Sequence, residues 1–95
     1  MRFDWDENKA RKNYRKHRVL FETAALVFDD PGFVMLPDRD VDGEVRWKTI
    51  GRVEGVLLLL VVHTLQKEDE EEIVRIISAR EVTAYERRCY EGSQQ

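Results

Sequence analysis

The sequence lacks several features that define large classes of protein. Its one cysteine, Cys89, cannot form a disulfide within the chain, which predicts a protein of the reducing cytoplasm. The longest uninterrupted apolar run, residues 56–62, has seven residues, whereas a membrane-spanning helix needs about 20. Carboxylates follow the first residues at Asp4 and Asp6, which is unlike a secretory signal. We therefore expect a cytoplasmic protein with no membrane partner.

Metal-binding patterns are also sparse. The only two histidines, His17 and His63, stand far apart, and neither a cysteine cluster nor an HExxH motif accompanies them. Residues 38–43, DRDVDG, have the carboxylate spacing of a calcium-binding loop. The position that needs a bidentate glutamate in such a loop is occupied by Thr49, so the pattern favours a solvated hairpin loop. The sequence predicts neither a metal nor a cofactor.

Charge is distributed unevenly along a chain whose net charge is -3. Residues 1–21 carry seven bases against three acids, residues 22–72 carry five against thirteen, and residues 73–95 carry four against three. Five of the central acids form one block at residues 68–72, which predicts a solvated turn. A basic surface is therefore compatible with an acidic protein, and nucleic-acid binding is not excluded.

Hydrophobic periodicity predicts an α+β fold of one domain over residues 1–92, with a loose tail at 93–95. A short strand near Phe3 and Trp5 is followed by a helix over 7–17 capped by Asp6 and a second helix over 21–28. The period then changes to two, which predicts strands over 33–36, 44–52, 56–64 and 72–78. Short connections between them indicate a four-strand antiparallel meander.

The end of the chain predicts a third helix. Ser78 and Glu81 have the spacing of a capping box, so we expect this helix to begin at Ala79 and to end near Tyr90. On that helix the spacing directs Val82, Tyr85 and Cys89 toward the sheet.

Arginines and a histidine form the strongest candidate site. If Arg46 and Arg75 lie on nearby strands and Arg80 begins the final helix, their guanidinium groups can surround the imidazole of His63. An imidazole can accept a ribose 2′-OH proton near neutral pH, and guanidinium groups can neutralise a pentacoordinate phosphate. The alternatives remain solvated arginines on strand faces and a half-buried histidine bonded to a carbonyl.

Five sequence segments follow one another in a specific order: FDWDENKARKNYRKH, FETAALVFDDP, GEVRWKTIGRVEG, LLLLVVHT and RIISAREVTAYERRCYEG. Together they resemble the BrnT family, the ribonuclease toxins of type II toxin-antitoxin pairs. The resemblance implies a RelE-like fold and metal-independent mRNA cleavage that arrests growth. It also implies neutralisation by a BrnA-type ribbon-helix-helix antitoxin, expected in a 2:2 complex, which alone would contact DNA.

The family's patterns add candidate RNA-binding positions to the predicted site. Catalytic positions are Arg46, His63, Arg75 and Arg80. The expected RNA-binding positions are Lys16, His17, Arg52, Arg87 and Tyr90. The acidic block at 68–72 favours a rival interpretation, a catalytically weak protein that binds an antitoxin and tunes repression of its own operon.

Overall fold

The structure is a computed structural model and describes residues 1–94. Within these residues a five-stranded sheet is accompanied by three α-helices. In chain order the elements are β1 (Arg2–Asp4), α1 (Glu7–His17), α2 (Phe21–Ala25), a 3₁₀ segment (Leu26–Asp29), β2 (Val34–Val41), β3 (Glu44–Val53), β4 (Leu57–Glu68), β5 (Glu71–Glu81) and α3 (Ala84–Ser93).

The strand order in the sheet is β1-β5-β4-β3-β2. Strands β2 to β5 form the antiparallel meander, and β1 pairs in parallel with the outer edge of β5. The predicted α+β class and order of elements are confirmed, although the strands extend further into the hairpins than the sequence indicates. Segment 38–43 lies in the β2–β3 hairpin, whose tight turn has positive φ at Asp42 and Gly43.

Helix α1 begins and ends as predicted. The Asp6 carboxylate accepts a hydrogen bond from the Asn8 N–H at 2.8 Å, and Arg18 ends the helix in the left-handed conformation. Its most buried residue, Asn13, donates to the Ala79 carbonyl at 2.9 Å and accepts from the Ala79 N–H at 3.0 Å. These two bonds fix α1 to the part of β5 that lies beyond β1.

Each face of the sheet carries its own apolar core. Helices α1 and α2 cover one face, and α3 covers part of the other through Tyr90. The first core contains Val19, Phe21, Ala24, Val27, Val53, Leu59, Val61, Val74, Ile76 and Ala79, and the second contains Ile50, Leu58, Leu60 and Tyr90.

The predicted start of the third helix is wrong. Strand β5 continues to Glu81, which pairs with Leu59, and α3 begins at Ala84. Its capping box is formed by Thr83 and Glu86 instead. The long β4 strand offers ladder partners through residue 81, so pairing with β4 outweighs the helix signal at Ser78.

The shift of α3 changes which residues face the sheet. Tyr85 is 69 % exposed and Cys89 is exposed, whereas Tyr90 is buried. The predicted tail also differs, because Ser93 belongs to α3 and the Gln94 amide donates to the Gly32 carbonyl at 2.8 Å. Gln95 lies outside the described residues. None of the helices in residues 1–94 is long and apolar enough to cross a membrane.

Candidate functional site

Strand register assigns the arginines of β3 and β5 to the face of the sheet opposite α1 and α2. Val74 and Ile76 belong to the core under those helices, so Arg75 between them points the other way. In β3, Thr49 contacts His63 on the helix-covered side, which places Arg46 on the opposite side by alternation. We call this side, with Arg46, Lys48, Thr64, Arg75, Ser78 and Arg80, the open face.

A β-bulge explains how Arg75 and Arg80 share the open face although five positions separate them. Val62 pairs with Ser78 and His63 pairs with Ile76, so Ile77 is an extra residue in β5. One extra residue reverses the alternation of side chains beyond it. Arg80 therefore lies opposite Leu60 of the α3-covered core, and Arg75 lies opposite Thr64. Along β4 the two positions are roughly 13 Å apart.

Arg46, Thr64 and Arg75 form a row across three neighbouring strands, which we call the arginine row. Thr64 pairs with Arg75, and the β3–β4 register continued one residue past the Trp47–His63 pair sets Arg46 opposite Thr64. The Thr64 residue is 2 % exposed. Arg46 Nε and Thr64 Oγ1 are the buried side-chain polar atoms of residues 1–94 that have no hydrogen-bond partner. Such atoms are rare in native proteins, and a bound anion or an ordered water can supply the partner.

The remaining end of the row is held by an ion pair. Arg75 Nη1 donates to Asp4 Oδ2 at 2.6 Å, across the β1–β5 pairing. The two side chains are 43 % and 55 % exposed. An exposed pair of this kind contributes about 0–1 kcal/mol, so a phosphate can compete with Asp4 for the guanidinium.

Arg80 is held more firmly, by α3. Its guanidinium donates two hydrogen bonds to the Glu86 carboxylate, at 2.7 and 2.9 Å. Glu86 also accepts a bond from the Thr83 N–H, so one carboxylate both caps α3 and positions Arg80. These bonds, with Arg80 contributing most, lower the pKa of Glu86 to about 2. The predicted position of Arg80 at the helix start is wrong, since it lies in β5.

His63 does not join the arginines. It is completely buried on the face covered by α1 and α2, and its ring packs edge-to-face with Phe28, with ring centres 5.1 Å apart. Its Nδ1 donates to the Thr64 carbonyl at 3.1 Å and its Nε2 accepts from the Thr49 hydroxyl at 2.7 Å. Burial lowers the pKa of His63, which favours the neutral ring. The expected cluster of guanidinium groups around this imidazole is therefore corrected: the sheet separates them.

Tyr90 and Arg52, expected to bind RNA, belong to a cluster that ties α3 to the rest of the fold. The Tyr90 hydroxyl donates to Asp30 Oδ2, which also accepts from the Arg52 N–H at 2.8 Å. The Arg52 guanidinium lies over the Tyr90 ring, 5.5 Å from its centre. Burial opposes ionisation of Asp30, but these bonds and one from the Gly32 N–H outweigh it and lower the pKa of Asp30. Tyr90 is 4 % exposed, and its hydroxyl is bonded to Asp30.

The other expected RNA-binding residues lie at two separate places. Arg87 is exposed on α3. Lys16 and His17 lie in the last turn of α1 and line a cavity against the bulged part of β5. This cavity and the arginine row are on the same strand, β5, and both lie close to the bulge.

The acidic block at 68–72 forms the β4–β5 hairpin, as predicted from its charge. Asp69 and Glu70 have positive φ in the turn, and Arg2 pairs with Glu71 at 3.0 Å. Glu72, the member of the block nearest to the row along the chain, is three residues from Arg75 on β5, roughly 10 Å. This exceeds the screening length of about 8 Å at physiological salt, so the block weakens the field at the row only in part.

The described residues contain no group of three or more His, Cys, Asp or Glu side chains placed to hold a metal ion. The open face instead offers guanidinium groups, one lysine and two hydroxyls. These groups bind anions, and their spacing along a strand suits a phosphodiester backbone.

A family model described as "Ribonuclease toxin, BrnT, of type II toxin-antitoxin system" matches residues 5–86. The chain belongs to the BrnT family. A comparison with curated protein sequences found no match. Among solved structures, the fold is similar to the 1.1 Å crystal structure of the Brucella abortus ribonuclease toxin BrnT, with a TM-score of 0.66 and 22 % identity. The match covers 87 % of this chain and 97 % of that chain.

Membership of the BrnT family has two direct consequences. The protein is a ribonuclease toxin of a type II toxin-antitoxin system, and such a system implies an antitoxin partner. The match to the Brucella abortus structure shows that the sheet and its three helices are arranged as in a BrnT fold. The resemblance stated from the five sequence segments is thereby confirmed.

Sequence reasoning missed Thr64 and Lys48 as members of the open face. The alternation of β3 indicates that Arg46 and Lys48 share a face, which is the signal for Lys48. Thr64 follows His63 directly, so alternation places the two on opposite faces, and attention to the imidazole concealed the hydroxyl. The sequence spacing predicts Ser78 as a helix cap. No sequence signal places Ser78 in the sheet, because its position there depends on the bulge.

Proposed function

We propose that this BrnT protein is an mRNA endoribonuclease that cleaves without metal and binds the reacting phosphate at the arginine row. The observation that carries the proposal is that two buried polar atoms on the neighbouring strands β3 and β4, Arg46 Nε and Thr64 Oγ1, have no partner. A phosphate oxygen supplies an acceptor for both, and leaving them unpaired costs about 1–3 kcal/mol each. The ribonuclease description of the family supports this ligand.

The chemistry follows from the charges of the row. Attack of a ribose 2′-OH on the neighbouring phosphorus forms a bond to the 2′ oxygen and breaks the bond to the 5′ oxygen. The 2′-OH proton passes to solvent water, and the 5′ oxygen takes a proton from solvent and leaves as the 5′-OH. The phosphorane gains negative charge during this step, and Arg46 and Arg75 lie on either side of Thr64 to stabilise it. Guanidinium groups fixed before the reaction need no reorganisation at that moment. In this mechanism His63 takes no part in proton transfer.

Arg80 has a supporting role on the same face. Its pairing with Glu86 neutralises part of its charge and fixes its guanidinium near the helix α3 terminus. We place it on the path of the RNA strand beside the row, where a fixed cation orients the backbone without contacting the reacting phosphate.

The partner is a BrnA-type antitoxin, which we propose to be a small ribbon-helix-helix protein with an acidic or apolar segment. The basic first segment of this chain, residues 1–21, offers charge complementarity that accelerates association and orients the partner. A dimeric antitoxin brings two copies of the toxin together by its own two-fold symmetry, giving a 2:2 complex in the cytoplasm. DNA is contacted only through the antitoxin.

Induced expression tests the proposal. Growth should stop and total mRNA should fall, and purified protein should cleave RNA in the presence of EDTA to give a 2′,3′-cyclic phosphate and a 5′-OH. Co-expression with the product of the neighbouring gene should restore growth and give a complex of 2:2 mass by light scattering. Cleavage that disappears in EDTA, or products with a 5′-phosphate, would contradict this mechanism.

One observation favours the rival function, a weak nuclease that mainly binds its antitoxin and tunes repression. Two of the three open-face arginines in β3 and β5 are already paired with carboxylates, Arg75 with Asp4 and Arg80 with Glu86. The rival predicts that Asp4→Asn raises cleavage by releasing Arg75. If the original chain cleaves RNA very slowly, Asp4→Asn raises that rate and antitoxin binding persists, the rival replaces the nuclease.

A further inference from the structure

The cavity lined by Lys16 and His17 lies between α1 and the outer edge of β5. Its volume is about 280 Å³, and its lining is formed by Lys9, Lys12, Asn13, Lys16, His17, Ile77 and Ser78. The three lysines stand at spacings of three and four, which places them on one side of α1. None of them forms an ion pair with another part of residues 1–94. The cavity therefore carries uncompensated positive charge.

The opposite side of α1 has a cavity of different chemistry. Arg11 and Arg15 line it, but so do Glu7 and Glu22 together with apolar side chains such as Leu20. The opposed charges there disfavour a polyanion. The lysine cavity is lined by three lysines and contains no carboxylate, so its charge favours a phosphate.

The bulge connects the lysine cavity to the open face. Strand β1 pairs with β5 only as far as Arg75, and beyond that point Asn13 bonds the backbone of Ala79 in place of a strand. Ser78, in the gap between them, lines the cavity and also pairs with Val62, whose side chain packs in the α3-covered core. Ser78 is thus shared by the cavity and the face that carries the arginine row.

We propose that the lysine cavity is an RNA-backbone subsite, holding phosphates next to the one bound at the arginine row. The single strand crosses the edge of β5 at Ser78 and passes from the open face to α1. Lysine ammonium groups hold the backbone without reading its bases, so the subsite contributes affinity and not sequence preference. This inference rests on the proposed ribonuclease function and deepens it by fixing the path of the substrate.

Two charge-matched double variants of α1 test the subsite in the full chain. Lys12→Ala with Lys16→Ala changes the cavity, and Arg11→Ala with Arg15→Ala removes the same charge from the other side of the helix. The probe is a short fluorescent 2′-O-methyl RNA strand, which cannot be cleaved, titrated at several salt concentrations. The lysine variant should weaken binding and lower the slope of log affinity against log salt by about 0.7 for each lost phosphate contact. The arginine variant should leave the slope unchanged.

Cleavage of unmodified RNA separates the subsite from the chemistry. The lysine variant should need more RNA to reach its maximal single-turnover rate, and that maximal rate should stay within about threefold of the original because the row is intact. Equal slopes for the two variants would overturn the subsite. So would loss of antitoxin binding with RNA binding preserved, which would make the cavity a protein interface. The proposed function fails separately, if Arg46→Ala and Arg75→Ala cleave RNA normally.

Discussion

Buried polar residues on the two faces of the sheet differ in their hydrogen bonding. On the face covered by α1 and α2, Thr49 and His63 are buried and bond to each other and to the backbone. On the open face, Thr64 is buried just as deeply, yet its hydroxyl and the neighbouring Arg46 Nε have no partner. Satisfied polar groups stabilise the fold, whereas a buried polar group lowers stability until a ligand or a water supplies its partner.

Whether a buried polar residue is hydrogen-bonded therefore distinguishes a structural role from a functional role more clearly than its residue type does. Histidine is the usual choice for a catalytic base, but here its neighbours fix it in the neutral state inside the core. Threonine is rarely considered catalytic, but here Thr64 lies on β4 between Arg46 of β3 and Arg75 of β5 on the same face of the sheet. If the open face performs the chemistry, substitutions on it should slow cleavage, and substitutions on the helix-covered face should not.

The largest effect is expected from the arginines of the row. Arg46→Ala and Arg75→Ala should each lower the single-turnover cleavage rate by about 10²- to 10³-fold, since each removes charge stabilisation of the phosphorane. Unfolding temperature should change little because both side chains are half-buried at the surface. The rate should be measured at saturating RNA, so that a binding defect does not mimic a chemical one.

Arg11→Ala is the control for that experiment, because it removes the same charge from the helix-covered side of the molecule. It should keep the maximal rate within about threefold. If Arg11→Ala and Arg46→Ala slow cleavage equally, the effect is one of general charge, and the contrast between the faces has no catalytic meaning.

A smaller effect is expected from the carboxylate that holds Arg80. Glu86→Gln keeps an oxygen for the Thr83 N–H but loses the ion pair, and should lower the unfolding free energy by about 1–2 kcal/mol at neutral pH after solvent screening. The folded-state pKa of Glu86, about 2, lies below its usual 4.5. The original protein should therefore keep this stability above pH 4.5 and lose it as pH falls toward 2. Urea titrations across that range should show no such loss from Glu86 in the variant.

The smallest catalytic effect is expected at His63. His63→Gln should keep cleavage within about threefold at temperatures where the variant is folded. Stability is where His63 matters: burial lowers its pKa from the usual 6.5, so the folded chain resists the proton that the unfolded chain accepts. Unfolding free energy should thus be fully maintained above about pH 6.5 and fall below it, and the variant should lack that fall. A 10²-fold slower rate in folded His63→Gln would show that His63 acts in catalysis as the base.

The sequence predicts the fold well where periodicity and caps agree. Asp6, the apolar run of β4 and the alternation of β3 each indicate one element, and each element is found. The start of the last helix is predicted wrongly because the sequence contains two capping boxes, one at Ser78 and one at Thr83, and strand-forming residues overlap with both. Only the length of β4, a tertiary partner, decides between them.

The site is harder to predict because it depends on one extra residue. Without a bulge at Ile77, alternation would put Arg75 and Arg80 on opposite faces of β5. The sequence around Ile77 contains no glycine or proline to announce the irregularity. Likewise, the prediction of His63 as a catalytic base depends on the chemistry of its side chain alone. Its burial is fixed by Phe28 and Thr49, which lie far from it in the chain.

The most direct test of the arginine row is Thr64→Val, which removes one hydroxyl and keeps the shape of the side chain. Because that hydroxyl is buried without a partner, the unfolding free energy should stay the same or rise. The single-turnover cleavage rate at saturating RNA should nevertheless fall about tenfold, as expected for one hydrogen bond to a charged phosphate. Unchanged stability with slower cleavage is the predicted result. Unchanged cleavage by a stable variant would show that the reacting phosphate does not bind at Thr64, which would contradict the proposed role of the arginine row.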